Sequence, residues 1–232
     1  MKIESTKKIV LVFIIFILPI CVSTSYAGTY LKDGPYVGAE IGYDLPVYHE
    51  NTTLENSIFQ TTQVRDHVAH GAVGGVFFGY GKYFNIVYLG GEIFGNIYSG
   101  TDKSYANQTQ GGVNVMSASE RQINQSYGIS ATPGIKLNSI ALLYGRLGYV
   151  RGNFTSHLSR STSITGSLPG VSSSTSLNGM DFGIGIEVLL RENVSMRGEF
   201  KHSNYFGNVI VNPGANFSPR DNMATLGLVY RF

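Results

Sequence analysis

From Met223 to Phe232 apolar and less apolar residues alternate without a break. Ala224, Leu226, Leu228, Tyr230 and Phe232 fall on one face, and Thr225, Gly227, Val229 and Arg231 on the other. Side chains on a strand point alternately to its two faces, so this pattern predicts a terminal strand with one apolar face. The same period recurs upstream. Tyr36 to Tyr43 places Val37, Ala39, Ile41 and Tyr43 on one side and Gly38, Glu40 and Gly42 on the other. Ile86 to Tyr98 turns Leu89, Gly91, Ile93 and Ile97 one way and Glu92 the other. Ile140 to Phe154 opposes Leu143, Leu147 and Tyr149 to Arg146. Met180 to Leu190 opposes Phe182, Ile184, Ile186 and Val188 to Asp181 and Glu187. Val194 to His202 opposes Val194, Met196 and Phe200 to Arg197, Glu199 and Lys201. Gly71 to Lys82 and Tyr127 to Lys136 also read as strands. In the former, mixed Gly and Phe leave the facing open. In the latter, Pro133 lacks an N–H for the ladder, which predicts a bulge or a bend there.

Two kinds of connection separate these strands. Lys82 to Asn85, Leu137 to Ser139 and Arg191 to Asn193 are short. Leu45 to His70, Ser99 to Gln125, Thr155 to Asn178 and Ser203 to Asp221 are long and rich in Ser, Thr, Asn and Gly. Soluble domains rarely hold several structureless loops of about 20 residues. Outer-membrane barrels alternate short periplasmic turns with long extracellular loops and have an even strand number. Each predicted strand is about 9 residues or more, enough to cross the hydrocarbon when tilted. A spanning sheet must close, because an open edge would leave backbone groups unpaired in lipid. The expectation is an all-β fold, an eight-stranded antiparallel transmembrane β-barrel with short periplasmic turns and four long extracellular loops.

The first residues support export. Lys2, Lys7 and Lys8 precede the uncharged run Ile9 to Ile20, and Ser25-Tyr26-Ala27 is a small-x-small site. Residues 1–27 read as a cleaved signal peptide and 28–232 as a single outer-membrane barrel domain. The run is too short to span as a helix, which takes about 20 residues. Cys21 is the lone cysteine and would leave with the signal, so neither a disulfide framework nor a thiolate metal site is expected. Removing Lys2, Lys7, Lys8 and Glu4 leaves 14 basic and 14 acidic residues. That balance gives no support to nucleic-acid binding. With 29 Gly, 15 Tyr and 13 Phe beside 14% charged residues, a helical globular protein is disfavoured.

The stretches YLGGEIFGN from Tyr88, PGIKLNSIALLYGRLGYV from Pro133, VSMRGEFKHSNY from Val194 and the ending LGLVYRF resemble the opacity-type family of small outer-membrane barrels. That family is similar to the membrane domain of outer-membrane protein A. The resemblance implies a monomer in the outer membrane of a Gram-negative bacterium, among lipid and lipopolysaccharide and inserted by the barrel assembly machinery. It also implies adhesion, host-cell contact or surface-antigen roles, with a host-cell receptor or matrix ligand met through the loops.

Candidate chemistry lies inside. Glu40, Glu92, Glu187 and Glu199 face inward with Arg146, Arg197 and Lys201. An eight-stranded barrel is only wide enough for side chains to fill it, and charges there must pair. One reading is a salt-bridged plug that fixes the barrel's shape. The other is an ion gate in a small porin. Leu228, Tyr230 and Phe232 are read as the C-terminal assembly signal. His49, His67, His70, His157 and His202 fall in or near the long connections, where a rim enzyme or a haem site would need them. Solvated loop histidines account for them more simply, so neither a catalytic residue nor a cofactor or metal ligand is assigned.

Overall fold

The structure is a computed structural model. It describes residues 31–232 except 57–58, 69, 111–112, 163–165, 208 and 213–214. The expected signal peptide and Cys21 lie outside the described residues. Twelve strands are described, and helices are absent among these residues. They are β1 (Gly34–Asp44), β2 (Val47–Asn56), β3 (Phe59–Val68), β4 (Gly71–Phe84), β5 (Val87–Tyr98), β6 (Thr101–Gln110), β7 (Val113–Lys136), β8 (Ala141–Thr162), β9 (Gly166–Arg191), β10 (Val194–Phe206), β11 (Val209–Asn212) and β12 (Ala215–Arg231).

Eight of them close a ring in the order β1-β4-β5-β7-β8-β9-β10-β12, and β12 pairs back onto β1. Every pairing is antiparallel. The closing seam runs from Tyr36 opposite Arg231 to Asp44 opposite Met223. Closure leaves no strand edge to lipid, which is why the terminal alternation around Leu228 has a partner at all.

The two faces separate as the period requires. Ile41, Ile93, Ile97, Leu147, Ile184 and Leu228 are exposed on the outside. Glu40, Glu92, Arg146, Glu187, Arg197, Glu199 and Lys201 are buried inside. In β4 the open facing is resolved: Val73 and Phe77 turn in, while Val76, Phe78 and Tyr80 turn out. Val188 shares the outward parity of β9 yet is buried, in an apolar groove with Ile186, Met196 and Gly198.

Two expectations need correction. The long connections are not structureless. β2 and β3 form a hairpin whose first strand pairs with β12, β6 pairs with β7, and β7, β8 and β9 run on for 24, 22 and 26 residues. The ladder therefore continues beyond the apolar band. Period-two apolarity marks a strand only where one face must meet lipid or core, and these polar extensions need only backbone pairing and residues such as Thr. Pro133 carries no bulge. Its pairing with Leu89 on β5 holds, while the β8 ladder omits Thr132 and Pro133 and resumes at Gly134 opposite Tyr144 in unchanged register. The missing N–H is accommodated by two absent rungs, and the register shift of β7 falls at Ile123/Gln125 instead.

At the periplasmic end the β4–β5 turn is two residues, with Asn85 at φ 59°, a left-handed conformation that Asn tolerates. Asn138 caps the β7–β8 turn, its Oδ1 accepting from the backbone of Ile140 at 3.0 Å and Ala141 at 2.8 Å. The residues before β1 tie three turns together. Leu31 N donates to Ser139 O at 3.1 Å, Lys32 Nζ to Asn193 Oδ1 at 2.8 Å, and Asp33 Oδ1 accepts from Tyr83 N at 2.7 Å. Leu31 is buried with Tyr88, Leu142, Tyr144 and Leu189, an apolar layer across this mouth.

Candidate functional site: the charged lumen

Inward positions of adjacent strands fall in rows set by the ladder. Arg197 lies opposite Glu187, and Glu187 opposite Leu142. Long side chains fit because glycines face them. A Cβ on Gly185 would collide with the Tyr144 ring, and one on Gly79 with the Tyr36 ring. Glycine in a strand often marks such close approach.

The charges form one continuous chain of contacts. Arg231 Nη2 donates to Glu187 Oε1 at 2.9 Å, and Arg197 Nη2 to Glu187 Oε2 at 3.0 Å. Arg197 Nη1 reaches Glu92 Oε1 at 2.6 Å, and Arg146 Nη1 reaches Glu92 Oε2 at 2.8 Å. Arg146 Nε continues to Asp181 Oδ2 at 2.8 Å, with Glu199 Oε1 3.4 Å from Nη1. Lys201 joins Glu199 at 3.7 Å and pairs closely with Glu40. Hydroxyls fill further acceptor sites. Tyr36 donates to Glu92 at 2.8 Å, Ser195 to Glu187 at 2.6 Å, Ser203 to Asp181 at 3.0 Å and Thr225 to Glu40 at 3.0 Å. All seven sequence-predicted interior charges belong to this network.

Aromatic faces complete it. The Arg197 guanidinium lies 4.5 Å from the Phe77 ring centre and 5.0 Å from that of Tyr144. Arg146 lies 4.5 Å from Phe94, and Arg231 4.6 Å from Tyr36. Cations over such rings are stabilised by the ring quadrupole, the more so when desolvated. Towards the extracellular end Val73, Tyr98, Ile123, Phe154 and Tyr205 belong to a second apolar cluster. That cluster also holds Tyr36, Phe77 and Phe94, so apolar rings interleave with the charges as well as extend beyond them, which sequence reasoning missed.

It also missed Arg231 and Asp181 as network members. Both have the inward parity of their strands, so the signal was present. Tyr36, Ser195, Ser203 and Thr225 carry no such signal, because a hydroxyl on an inward row looks the same whether or not it meets a carboxylate.

Leu228, Tyr230 and Phe232 lie on the outer face beside the periplasmic turns. The rings of Tyr230 and Phe232 meet edge-on at 5.1 Å, Tyr230 Oη accepts from Asn193 Nδ2 at 3.3 Å, and Phe232 N donates to Pro35 O at 3.1 Å. His70 stacks on Tyr43, His157 is exposed, and His202 Nδ1 lies 2.8 Å from Asn222 Oδ1. The side chains of His49 and His67 fall outside the description. Among the described residues no cluster of three His, Cys, Asp or Glu side chains is arranged to hold a metal ion.

A closed eight-stranded ring with an apolar exterior and a charged interior defines an outer-membrane β-barrel. The chain belongs to the family described as the outer membrane protein beta-barrel domain, whose model matches residues 14–232. It is therefore a protein of the Gram-negative outer membrane. No curated protein is matched by the sequence. Among solved structures it is similar to Ail, the attachment invasion locus protein of Yersinia pestis, at 16% identity over 87% of this chain and 100% of that one, with a TM-score of 0.42. It is also similar to OprG from Pseudomonas aeruginosa, at 12% identity over 87% and 97% of the two chains, with a TM-score of 0.45. The outer-membrane protease OmpT from Escherichia coli is matched at 10% identity over 90% and 100%, with a TM-score of 0.44. Likeness at this level concerns the fold and assigns no activity.

Proposed function

We propose that this chain is a non-enzymatic, opacity-like surface protein. Its barrel is the anchor, and its extracellular hairpins meet a host-cell receptor, a matrix ligand or another surface. The observation that carries this reading is the contrast between the two ends of the design. The lumen is packed with paired charges and rings, whereas β7, β8 and β9 carry the ladder well past the apolar band. Binding residues commonly sit on exposed segments held by a rigid scaffold. Residues 1–27 act as a cleaved signal, the barrel assembly machinery inserts the chain, and it works as a monomer among lipid and lipopolysaccharide without a cofactor. The test compares host-cell and matrix binding by intact cells that carry the protein, lack it, or carry a version shortened in the hairpins. Binding lost with the hairpins while the barrel still inserts is the expected result. Equal binding by all three would overturn the adhesive role.

One observation favours a second reading, a small gated pore. Arg146 faces three acidic partners, Glu92, Asp181 and Glu199. A cation with alternative partners is what a switching pair requires, and conductance decides between the two. A rim enzyme or haem binder stands behind both, since His202 pairs with an asparagine rather than with an acid.

A further inference from the structure

Beyond the apolar band the wall of the barrel opens along one line. Within the ring β4 pairs with β5 as far as Val73 opposite Tyr98. Ser99 then closes that ladder: its N–H donates to Ala72 O at 2.9 Å, and its hydroxyl accepts the Ala72 N–H at 3.0 Å. One step further the two backbones still touch, since a Cβ on Gly71 would lie 2.3 Å from Gly100 Cα. Past that point they part. β2 takes the place of β1 beside β12, and β3 takes the place of β4 beside β2. β6 takes the place of β5 beside β7. Among the described residues β3 and β6 do not pair with each other, although β4 and β5 below them do. Their free edges therefore flank a slit.

A second opening, between β9 and β11, is guarded. The stretch of β9 before Asn178 pairs with β8 alone; it carries Pro169, and its ladder shifts register between Leu158 and Arg160. β11 has four residues and its own shift against β12. Proline, bulges and short length are means by which sheets keep other chains off an edge. The slit has none of them. β3 and β6 each make ten rungs without a register shift, and neither contains proline. β3 carries Arg65 and Asp66, whereas β6 is uncharged from Ser104 to Gln110.

The open side of a strand presents a row of N–H and C=O groups whose spacing another extended backbone matches in full. In β6 that row is already held in strand geometry, because β6 lies on β7, and β7 on β8 and β9. A partner that pairs there does not have to order the edge first.

The geometry points to β6 as a strand acceptor: an extended segment of another protein lies in the slit along Ser104 to Gln110 and adds to the sheet β6-β7-β8-β9. Backbone hydrogen bonds supply the affinity, and alternate side chains of the incoming strand supply the selectivity. This inference rests on the adhesive reading above and names its partner class, a protein that presents an extended, unpaired segment.

The probes are 12-residue peptides selected from a random library on the full barrel in detergent micelles. N-methylation of every second peptide residue should weaken binding by about tenfold or more for one parity and leave the other parity near wild type, because alternate N–H groups point to the acceptor. Continuing the β4–β5 register sets Val68 opposite Lys103. In a Val68→Cys, Lys103→Cys barrel, peptide should bind when reduced, be lost on oxidation that ties the slit shut, and return with reductant. Loss by equal factors for both parities, or binding unchanged by the cross-link, would overturn the proposal. So would β6-to-β6 cross-linking of two barrels, since a second copy would then fill the edge. Should the cross-link not form, Ser104→Pro and Tyr105→Pro decide, because successive N–H groups point to opposite sides and one of the two removes an open-edge donor. Wild-type affinity in both would overturn the proposal. Cells that still adhere with the slit tied shut would overturn strand addition and leave the adhesive reading standing. Parity-dependent peptide binding to a barrel whose cells do not adhere would uphold the acceptor and overturn only the adhesive role.

Discussion

Arg197 and Glu92, 105 residues apart in sequence, meet at 2.6 Å inside the barrel. Arg197 also holds Glu187, and Glu92 is also held by Arg146, so this contact joins the two halves of the interior network. Arg197→Ala should therefore leave two buried carboxylates short of a donor. The expected cost is about 3–5 kcal/mol, measured as a shift in urea unfolding. Arg197→Met with Glu92→Gln should cost less than the two single changes together, because each single change strands a charge that the double change removes.

Arg146 separates plug from gate. In the plug, Arg146→Ala destabilises the barrel and planar-bilayer conductance stays at baseline. In the gate, the same change raises single-channel conductance, and restoring a pair with reversed signs lowers it again. We expect baseline conductance, because the cations meet carboxylates and aromatic rings across the lumen. Reproducible single channels from the wild-type barrel, altered by Arg146→Ala, would establish the pore reading.

Depth along the outer face sets a second scale. Ile93 and Leu147 are exposed on the outside beside the buried Glu92 and Arg146. Arg at either should cost roughly 2–4 kcal/mol near the bilayer midplane. Arg at Tyr127, nearer the extracellular end of β7, should cost much less. Equal costs at Ile93 and Tyr127 would mean that the membrane band lies elsewhere on the barrel.

Leu31 should matter more than a residue just ahead of the first strand usually does. It is buried against Leu142 and Tyr144 and hydrogen-bonded to the β7–β8 turn. Leu31→Ala should cost about 2–5 kcal/mol through the cavity it leaves. Asp33→Ala, which frees the Tyr83 N–H at an exposed site, should cost about 1 kcal/mol or less. A Leu31→Ala barrel as stable in urea as wild type would show that this segment does not close the periplasmic mouth.

Deleting Phe232 removes the aromatic side chain beside Tyr230 and the hydrogen bond to Pro35. Assembly in cells should fall, read as loss of the heat-modifiable folded band on gels. Undiminished folded protein in the outer membrane would remove Phe232 from the assembly signal.

The alternation in each spanning strand determined the fold class, the inward charges and the outward apolar rows. It did so because a strand between lipid and a narrow lumen must show a period of two, and Glu92, Arg146 and Arg197 had no other face to occupy. β4 was ambiguous because Val73 and Phe77 fill the lumen while Val76 and Phe78 face lipid, so both faces are apolar. The hairpins beyond the membrane were illegible for the opposite reason, since polar residues recur on both faces of their sequence and leave no period of two to read. Pairing decided the remainder. Which carboxylate meets which cation and the capture of Leu31 beneath the turns both depend on the register across strands distant in sequence. That register is fixed only when β12 closes on β1, because ring closure requires every ladder to be consistent with every other.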